Sequence, residues 1–344
     1  MGVRLYQEEE RKRWDAYVMD SETSSSYHLI AWKNVVERSF RKKTIYLLSE
    51  DGRGMINGIL PIVHMKSLLF GNYMVSLPYF NYGGICADRQ EIRDQLLREA
   101  VAIAEKQKVD HIELRHAYPI ANDLPVKTTK VSMELELPQK AEELWKGFSS
   151  KLRSQIRRPT KAGMVARIGR EEELDSFYSV FSINMRDLGT PVYCKEFFKN
   201  ILKEFPKTTW VCTVYTKEGQ PVASSFLVGF KNRLEIPWAS SLRNFNPFSP
   251  NMLLYWFSLQ FACENRYQIF DFGRSTSGEG TWKFKEQWGA KSIQLYWYYW
   301  LKNGRTIPEL NPKNPKYQAS IRIWKRLPVG LTKIIGPSIV KNLP

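Results

Sequence analysis

The sequence lacks any run of about 18 consecutive apolar residues, so no transmembrane helix is predicted. The longest apolar stretches, residues 251–262 and 293–301, are too short to span a bilayer and contain polar residues. The N-terminal residues also lack the apolar segment of a secretory signal peptide. These absences predict a cytoplasmic protein.

Cysteine and histidine are scarce, with four residues of each, and they are scattered along the chain. No CxxC pair and no cysteine–histidine cluster occurs, so the spacing predicts no metal site. Most of the cysteines lie in apolar surroundings and are predicted to be buried free thiols, which fits a reducing compartment.

Signatures of several enzyme classes are missing as well. The chain has no GxSxG, no Walker A motif, no HExxH and no glycine-rich dinucleotide fingerprint after a strand. Hydrolase, NTPase and dehydrogenase functions therefore lose support. A reaction that depends mainly on positioning and on the stabilisation of charge stays open.

Acidic residues are too few to balance the basic ones. Lys and Arg number 51 against 35 Asp and Glu, so the net charge is +16. This excess favours anionic partners, whether nucleic acid, phosphorylated precursors or an anionic membrane surface. Residues 151–170 carry seven basic residues and no acid, and residues 302–344 carry nine basic residues and one acid. A solvated surface explains any one of these charges, but the two clusters together favour anion binding.

The hydrophobic pattern alternates between strands and helices, which indicates an α/β protein with mixed sheets. Both halves show one order: a hairpin around an acidic-glycine turn, a further strand, a long helix and another strand. This order predicts a duplicated domain, although strand–helix–strand units are common to many α/β proteins. The predicted domains are 1–138 and 139–301. A basic tail, 302–344, is predicted to pack on the first domain, with an anionic membrane surface as the alternative.

Three local patterns make definite predictions. Residues 131–137 alternate strictly between apolar and polar, as a half-buried strand does. Asp88 and Glu91 resemble a capping box at the start of a helix. Residues 293–301 are predicted to form one strand of the second domain.

A small-residue loop at 272–281 is the first candidate for ligand contact, because it follows a predicted strand and precedes a predicted helix. Its free backbone N–H groups suit an anion. Arg274 would clamp a phosphate or carboxylate, and Ser275 would assist. Loops of this composition are more often only connections.

A second candidate loop, residues 77–84, mixes aromatic, polar and glycine residues. It fits a loop that lines a cleft, in which Tyr79, Asn81 and Tyr82 bind a polar ligand. An aromatic mini-core under a turn explains the same composition equally well.

The short helix predicted after residue 281 places Phe284 and Trp288 on one face, at positions i and i+4. Lys285 lies one step round and would point towards a ligand. Spacing alone favours a plainer interpretation, an amphipathic helix with a solvated lysine.

Several segments together resemble the FemAB family. Residues 150–163 are similar to the S-x-x-R-x-x-I-R-x-A-x-x-x-G pattern that opens its second domain. The runs PYFNYGG and DFGRSTSGEGTWKFKEQWGA look like its exosortase-associated (PEP-CTERM) branch, as do the closing NPKNPKY and WKRLP. The resemblance covers nearly the whole chain, and the combination is more specific than any single motif.

The resemblance implies two tandem GNAT-like N-acyltransferase domains. It also implies that Arg153 and Arg157 contact a precursor phosphate, and that Phe284 and Lys285 lie beside the acyl donor, with Trp288 completing that segment. In one respect the chain departs from the pattern: a proline, Pro159, replaces a helix-compatible residue, so this helix is expected to break early. The chain also shows no coiled-coil arm of the kind linked to tRNA binding, which weakens the case for a tRNA donor.

We therefore expect an aminoacyl- or acyltransferase that forms an amide bond on an amine of a peptidoglycan or exopolysaccharide precursor. Lys285 is the expected donor to the oxyanion, and Asp271 is a candidate general base. No tightly bound cofactor is expected, and acyl-CoA or aminoacyl-tRNA is the expected co-substrate. The expected partner is a phosphorylated or nucleotide-linked precursor, with tRNA and an anionic membrane as further options and no sequence-specific nucleic-acid binding. The alternative is a non-catalytic GNAT-like module that binds an anionic envelope polymer or membrane surface.

Overall fold

The computed structural model describes residues 2–68, 70–121, 123–308 and 315–343. The strands are β1 Val3–Leu5, β2 Lys43–Glu50, β3 Ile56–Ser67, β4 Gly71–Val75, β5 Cys86–Ala87, β6 His111–His116, β7 Val126–Lys127, β8 Val131–Glu136, β9 Val165–Gly169, β10 Thr209–Tyr215, β11 Pro221–Phe230, β12 Arg233–Ser241, β13 Ile269–Ser275, β14 Lys291–Gln294 and β15 Tyr296–Leu301. The helices are α1 Arg11–Asp20, α2 Ile30–Phe40, α3 Gln90–Lys106, α4 Ala141–Gly147, α5 Ser150–Lys161, α6 Leu174–Leu188, α7 Lys195–Glu204, α8 Pro250–Glu264, α9 Gly280–Glu286, α10 Pro315–Trp324 and α11 Val329–Val340. Within the described residues, none of these helices is both long and apolar enough to cross a membrane.

The chain divides into two compact units. The first comprises Met1–Val131, Ile293–Leu310 and Asn342–Pro344, and the second comprises Ser132–Ser292 and Asn311–Lys341. The strand order is β1-β2-β3-β4-β6-β15-β7 in one sheet, where β5 also pairs with β3, and β9-β10-β11-β12-β13-β8-β14 in the other. The prediction of an α/β protein with mixed sheets is confirmed.

The core of the first unit follows from the periodicities of its sequence. Strands β2 and β3 form the predicted antiparallel hairpin, with Leu47 opposite Leu60. Helix α3 buries Leu96 and Ala100 in the same hydrophobic cluster, since residues four apart lie on one face of a helix. The predicted capping box is wrong: the N-cap is Arg89, which makes no side-chain cap. The carboxylate of Asp88, one residue earlier, instead accepts a hydrogen bond from the hydroxyl of Tyr17 at 2.8 Å.

The two units repeat one topology. In each, an antiparallel hairpin (β2–β3 or β10–β11) is followed by a third strand (β4 or β12), a long helix (α3 or α8), and a strand (β6 or β13) that pairs in parallel with the third strand. In the first unit the short strand β5 precedes the helix and pairs with β3. The predicted duplication therefore exists at the level of topology.

Two strands correct the predicted domain boundaries. Strand β8 belongs to the second sheet, between β13 and β14, and β15 belongs to the first, between β6 and β7. The first break thus falls at Val131 rather than residue 138, and the predicted strand 293–301 is two strands in different sheets. Leu295 separates them, and its backbone N–H donates to the carbonyl oxygen of Lys130 at 3.1 Å. The alternating pattern specifies which face of a strand is buried, but not which sheet the strand joins.

The tail is divided between the two units. Its first residues, up to 310, and its last, from Asn342, belong to the first unit as predicted, and the hydroxyl of Tyr73 donates to the carbonyl oxygen of Asn342 at 2.7 Å. Its described helices, α10 and α11, belong instead to the second unit, where α11 packs on α6. A Cβ atom at Gly336 would lie 2.9 Å from the backbone nitrogen of Val192, so only glycine permits this close approach. Arg186 on α6 donates to the carbonyl oxygen of Leu327 at 3.2 Å. Residues 311–314 of the NPKNPKY motif lie outside the described residues.

Candidate functional site

The second sheet opens between its two central parallel strands. Strands β12 and β13 pair over residues 233–235 and 269–271, and both continue well beyond that pairing. Near the far ends of the strands, the hydroxyl oxygens of Ser241 and Ser275 are buried and have no hydrogen-bond partner within the described part of the chain. Buried polar atoms without partners are uncommon in proteins. The opened end of the sheet is therefore a place where a ligand can be bound.

Lys285 of α9 is buried beside this opening. Its Nζ donates to the carbonyl oxygens of Gly273 at 2.8 Å and Arg274 at 3.0 Å, both on β13. Burial lowers the pKa of Lys285 to about 8, although the carboxylates of Asp271 and Glu235 act in the opposite direction. An ammonium group carries three N–H donors, so two bonds to carbonyls leave one donor for a ligand. The solvated-lysine interpretation is wrong, because only 7% of this residue is exposed.

Asp271 anchors the middle of the site. It is fully buried, and its Oδ1 accepts from the hydroxyl of Ser132 at 2.7 Å and from the backbone N–H of Gly273 at 2.8 Å. Arg233 lies 3.9 Å from its Oδ2 and forms an ion pair with Glu134 at 2.5 Å. These bonds fit a group that holds β8, β13 and Lys285 in position. They leave Asp271 as a weaker candidate for the general base than the sequence suggests.

Two further acids, Glu134 and Glu235, lie near Asp271. Glu235 lies opposite Asp271 in the parallel register and is buried. Burial raises the pKa of Glu134, the neighbouring Asp271 raises it further, and Arg233 opposes both effects. Neither acid was predicted from the sequence, nor were Ser132 and Arg233. An acid inside an otherwise apolar strand, as in RLEIPW, was the available signal for Glu235.

A chain of aromatic rings connects α9 to the basic helix α5 by way of α4. Trp288 and Phe284 share one face, as the spacing predicted, with ring centroids 6.4 Å apart. Phe148 contacts Trp288 at 5.5 Å and Trp256 at 5.7 Å, and Trp256 contacts Trp145 at 5.0 Å. Trp288 is almost fully buried, so it supports α9 and is poorly placed to touch a ligand.

Helix α5 carries the two residues that are predicted to contact a phosphate, Arg153 and Arg157. Arg157 lies over the ring of Trp145 at 5.2 Å, and the side chain of Arg153, one turn earlier, makes no hydrogen bond or ion pair with any described residue. The helix was expected to break at Pro159, but it continues to Lys161. Pro159 is buried two residues before the helix end, and its carbonyl oxygen accepts from the N–H of Met164 at 3.0 Å.

A cavity of about 390 Å³ lies between α5 and α8, within the size range of small-molecule sites. Its lining residues include Trp145, Trp256, Arg157, Lys161, Thr160 and Gln260. Neither Arg157 nor Lys161 forms an ion pair with any described residue. The cavity therefore combines two indole surfaces with two positive charges that are available to an anion.

The other predicted residues differ in their surroundings. Arg274 is exposed, on the strand from which Lys285 takes its two carbonyl partners. In the first unit, Tyr79 packs on Phe40 at 4.5 Å. Tyr82 is buried near Tyr27, at 6.1 Å. These contacts favour the aromatic mini-core for the rings of the 77–84 loop, whereas Asn81 is half-buried and makes no hydrogen bond with described residues. No group of three or more His, Cys, Asp or Glu residues suited to a metal ion occurs in the described segments.

Comparison with known proteins places this geometry in context. Residues 146–286 match the family model of the acetyltransferase (GNAT) domain. No curated protein matches the chain. A crystal structure of FemX is similar with a TM-score of 0.67 and 15% identity, covering 93% of this chain and 99% of that chain.

Two further solved structures share the fold. The C-terminal domain of a putative lysylphosphatidylglycerol synthetase from Agrobacterium fabrum has a TM-score of 0.56 and 14% identity, over 86% of this chain and 92% of that chain. A tandem GNAT protein from the clavulanic acid biosynthesis pathway has a TM-score of 0.53 and 10% identity, over 89% of this chain and 100% of that chain. With the family match over residues 146–286 and the repeated topology, these likenesses show that the chain has the fold of two tandem GNAT domains.

Proposed function

We propose that this protein is an N-acyltransferase that joins an activated acyl or aminoacyl group to an amine of a phosphorylated cell-envelope precursor. The observation that carries the proposal is the buried ammonium of Lys285, held by two carbonyl oxygens of β13 beside the opening between β12 and β13. Because it lies within the segment that matches the GNAT domain, it is the best-placed charged donor for an acyl carbonyl.

The reaction then needs little covalent chemistry from the protein. The acceptor amine attacks the carbonyl carbon, a C–N bond forms, and the carbonyl π electrons move to oxygen. Lys285 donates its third N–H to that oxyanion, which is the type of stabilisation worth most in acyl transfer. Collapse of the intermediate expels a thiolate from acyl-CoA, or the ribose oxygen from aminoacyl-tRNA. The amine proton ends on the leaving group, so atoms and charge balance.

The cavity between α5 and α8 supports a phosphate-bearing reactant. Arg157 and Lys161 supply two positive charges, and the indole of Trp145 offers a surface on which an apolar or aromatic group can stack. Arg153 extends the positive surface by one helical turn. These features favour a nucleotide-linked or otherwise phosphorylated precursor of peptidoglycan or exopolysaccharide.

Names of similar structures support both donor classes. One is a putative lysylphosphatidylglycerol synthetase, a name that indicates transfer of an amino acid to a phosphate-bearing acceptor. The description of the tandem GNAT protein mentions AcCoA. We therefore propose aminoacyl-tRNA or acyl-CoA as the co-substrate, and a cytoplasmic site of action. Assignment to the exosortase-associated branch remains a prediction from the motifs.

A transfer assay tests the proposal. Purified protein is incubated with acetyl-CoA, longer acyl-CoAs or aminoacyl-tRNA, each paired with UDP-linked muropeptides or amino sugars, and acceptor masses are recorded. We expect one pair to show an acceptor mass increase of one acyl or aminoacyl unit, with release of CoA or deacylated tRNA. The exposed Lys283, on the same helix, provides the matched control variant Lys283→Ala, which should behave like the wild type.

The competing function is a non-catalytic GNAT-like module that binds an anionic polymer or surface. If every donor and acceptor pair leaves the acceptors unmodified while a ligand still raises the melting temperature, the enzymatic proposal is wrong and the binding module is favoured.

A further inference from the structure

Helix α11 is apolar on two opposite faces, only one of which is covered. Thr332, Gly336 and Val340 recur every four residues and form the buried face, which packs towards α6. The opposite face carries Leu331, Ile334 and Ile335, and all three are exposed. Surface helices usually present polar residues to water on the face that does not pack.

The exposure of this second face is extensive. Ile334 is 73% exposed and Leu331 is 42% exposed. Ile323, close to the end of the preceding helix α10, is 64% exposed. Four large aliphatic residues exposed within thirteen positions of the chain form a concentration that isolated surface residues do not explain. We call Ile323, Leu331, Ile334 and Ile335 the aliphatic patch.

Positive charge accompanies the aliphatic patch. Residues 315–343 contain six basic residues and no Asp or Glu. These residues are Lys316, Arg322, Lys325, Arg326, Lys333 and Lys341. Arg322 and Arg326 are both exposed and flank Ile323 in the sequence. Exposed aliphatic side chains with adjoining cations are the composition of helices that lie in a membrane interface.

We propose that α10 and α11 dock the protein on an anionic lipid surface, with the aliphatic patch inserted among the acyl chains and the exposed Arg322, Lys325 and Arg326 facing the lipid phosphates. The helices would lie in the plane of the interface. Each basic residue near such a surface contributes about 1 kcal/mol, and the buried aliphatic area adds to the binding. This inference is independent of the chemistry proposed for Lys285.

Charge decides between the possible occupants of the patch. A second copy of the chain would bring a segment with the same six cations and no acid against itself, so like charges would repel. A nucleic acid would attract the cations but would leave Ile334 and Leu331 without an apolar partner. An anionic bilayer satisfies both features, because it offers phosphates above hydrocarbon.

Vesicle co-sedimentation tests this docking. We expect the full chain to bind vesicles of phosphatidylglycerol and phosphatidylcholine, and to bind pure phosphatidylcholine far more weakly. The double variant Leu331→Glu/Ile334→Glu should lose most of the binding. The variant Arg322→Gln/Arg326→Gln should weaken it by roughly 25-fold, about fivefold per charge. Leu68, which is fully exposed and lies in the first unit, provides the control Leu68→Glu, which should bind like the wild type.

All three variants alter exposed side chains, so their far-UV circular dichroism and melting temperatures should match the wild type. Equal vesicle binding by the wild type and the Leu331→Glu/Ile334→Glu variant overturns the proposal, as does absence of wild-type binding to anionic vesicles. Light scattering measures the oligomeric state. A wild-type dimer that becomes a monomer in the Leu331→Glu/Ile334→Glu variant would assign the patch to a second copy of the chain and overturn the proposal of lipid docking.

Discussion

The side-chain nitrogen of Lys285 lies 2.8 Å from the carbonyl oxygen of Gly273, twelve residues earlier in the chain. The bond joins the short helix α9 to strand β13, two residues beyond Asp271, the last residue of β13 that pairs with β12. Backbone carbonyls thereby orient a buried cation whose remaining N–H is free for a ligand. The proposed chemistry depends on this arrangement.

Removal of the Lys285 ammonium should reduce transfer strongly. Loss of one oxyanion donor typically costs about 100- to 1,000-fold in kcat, so Lys285→Ala should fall in that range. The variant should bind the donor with little change in KM, since the interaction forms mainly in the transition state. Steady-state kinetics with the donor found in the transfer assay supply the measurement. Lys283→Ala controls for helix disturbance, and equal rates for the two variants would remove Lys285 from the mechanism.

The pKa of Lys285 predicts a pH limit. Burial lowers this pKa to about 8, so the ammonium donor is lost as the pH rises through 8, and the rate should decline there. The acceptor amine also titrates, so the informative quantity is the ratio of the wild-type rate to that of Lys285→Arg, because arginine stays protonated. This ratio should be constant below about pH 7 and fall above pH 8. A ratio that is flat from pH 6 to 10 contradicts the assignment.

Asp271→Asn separates a positioning role from base catalysis. The Asp271 carboxylate raises the pKa of Lys285, so its neutralisation should lower that pKa further and move the alkaline decline of the rate below pH 8. Asparagine keeps an oxygen that can accept from Ser132 and Gly273, so the fold should persist. A positioning role predicts the shifted profile with a rate at pH 6 within about tenfold of the wild type. A loss of about 100-fold or more at every pH would identify Asp271 as the base.

Arg157 should affect the binding of a phosphate-bearing acceptor more than the chemical step. Arg157→Ala removes one cation from the cavity, and a charge-assisted hydrogen bond is worth about 1.5–3 kcal/mol, so KM should rise by roughly 10- to 100-fold with kcat nearly unchanged. Arg158 is the matched control, because it is adjacent, exposed and directed to the carbonyl oxygen of Pro247 at 3.4 Å. A larger effect of Arg158→Ala than of Arg157→Ala would place the acceptor elsewhere.

Much of the fold was accessible from local pattern. The strand predicted at 131–137 is observed at Val131–Glu136, because a strict alternation of apolar and polar residues is a strong strand signal. The sheet to which each strand belongs could not be predicted from the sequence. Strand β8 begins where the chain first passes between units and β15 begins shortly after it passes back, and their pairing depends on tertiary contacts.

The candidate site was accessible only in part, for the same physical reason. Lys285 and Asp271 were identified from a motif and a strand end, yet the burial of Lys285 contradicts what its spacing favours. Ser132 and Glu134 reach the site from a strand more than 130 residues earlier, so no local pattern connects them with Asp271. Charge clustering did indicate helix α5, since its cations lack acidic neighbours in the sequence.

A buried ion pair in the first unit gives the last prediction. Arg115 donates to Glu113 at 2.7 Å and to the carbonyl oxygen of Phe80 at 2.5 Å, in the loop that carries Tyr79, Asn81 and Tyr82. The hydroxyl of Tyr299 donates to the other oxygen of Glu113 at 2.8 Å. Burial alone would raise the pKa of Glu113, but the charge and hydrogen bonds of Arg115 and Tyr299 lower it.

Arg115→Met should therefore leave an uncompensated buried carboxylate and destabilise the protein by about 3–5 kcal/mol at pH 7, whereas Glu113→Gln/Arg115→Met should recover much of that loss.

The pH dependence of stability shows whether the Glu113 carboxylate causes the loss. In the wild type the folded pKa of Glu113 is depressed, so its contribution to stability is present above about pH 4.5 and is lost on acidification. In Arg115→Met, burial acts unopposed by the arginine, the folded pKa rises above the unfolded value, and stability should increase from pH 7 to pH 5. Urea denaturation at both pH values measures this, and a single variant that is no less stable than the double variant at pH 7 would show that the pair is not coupled as the distances imply.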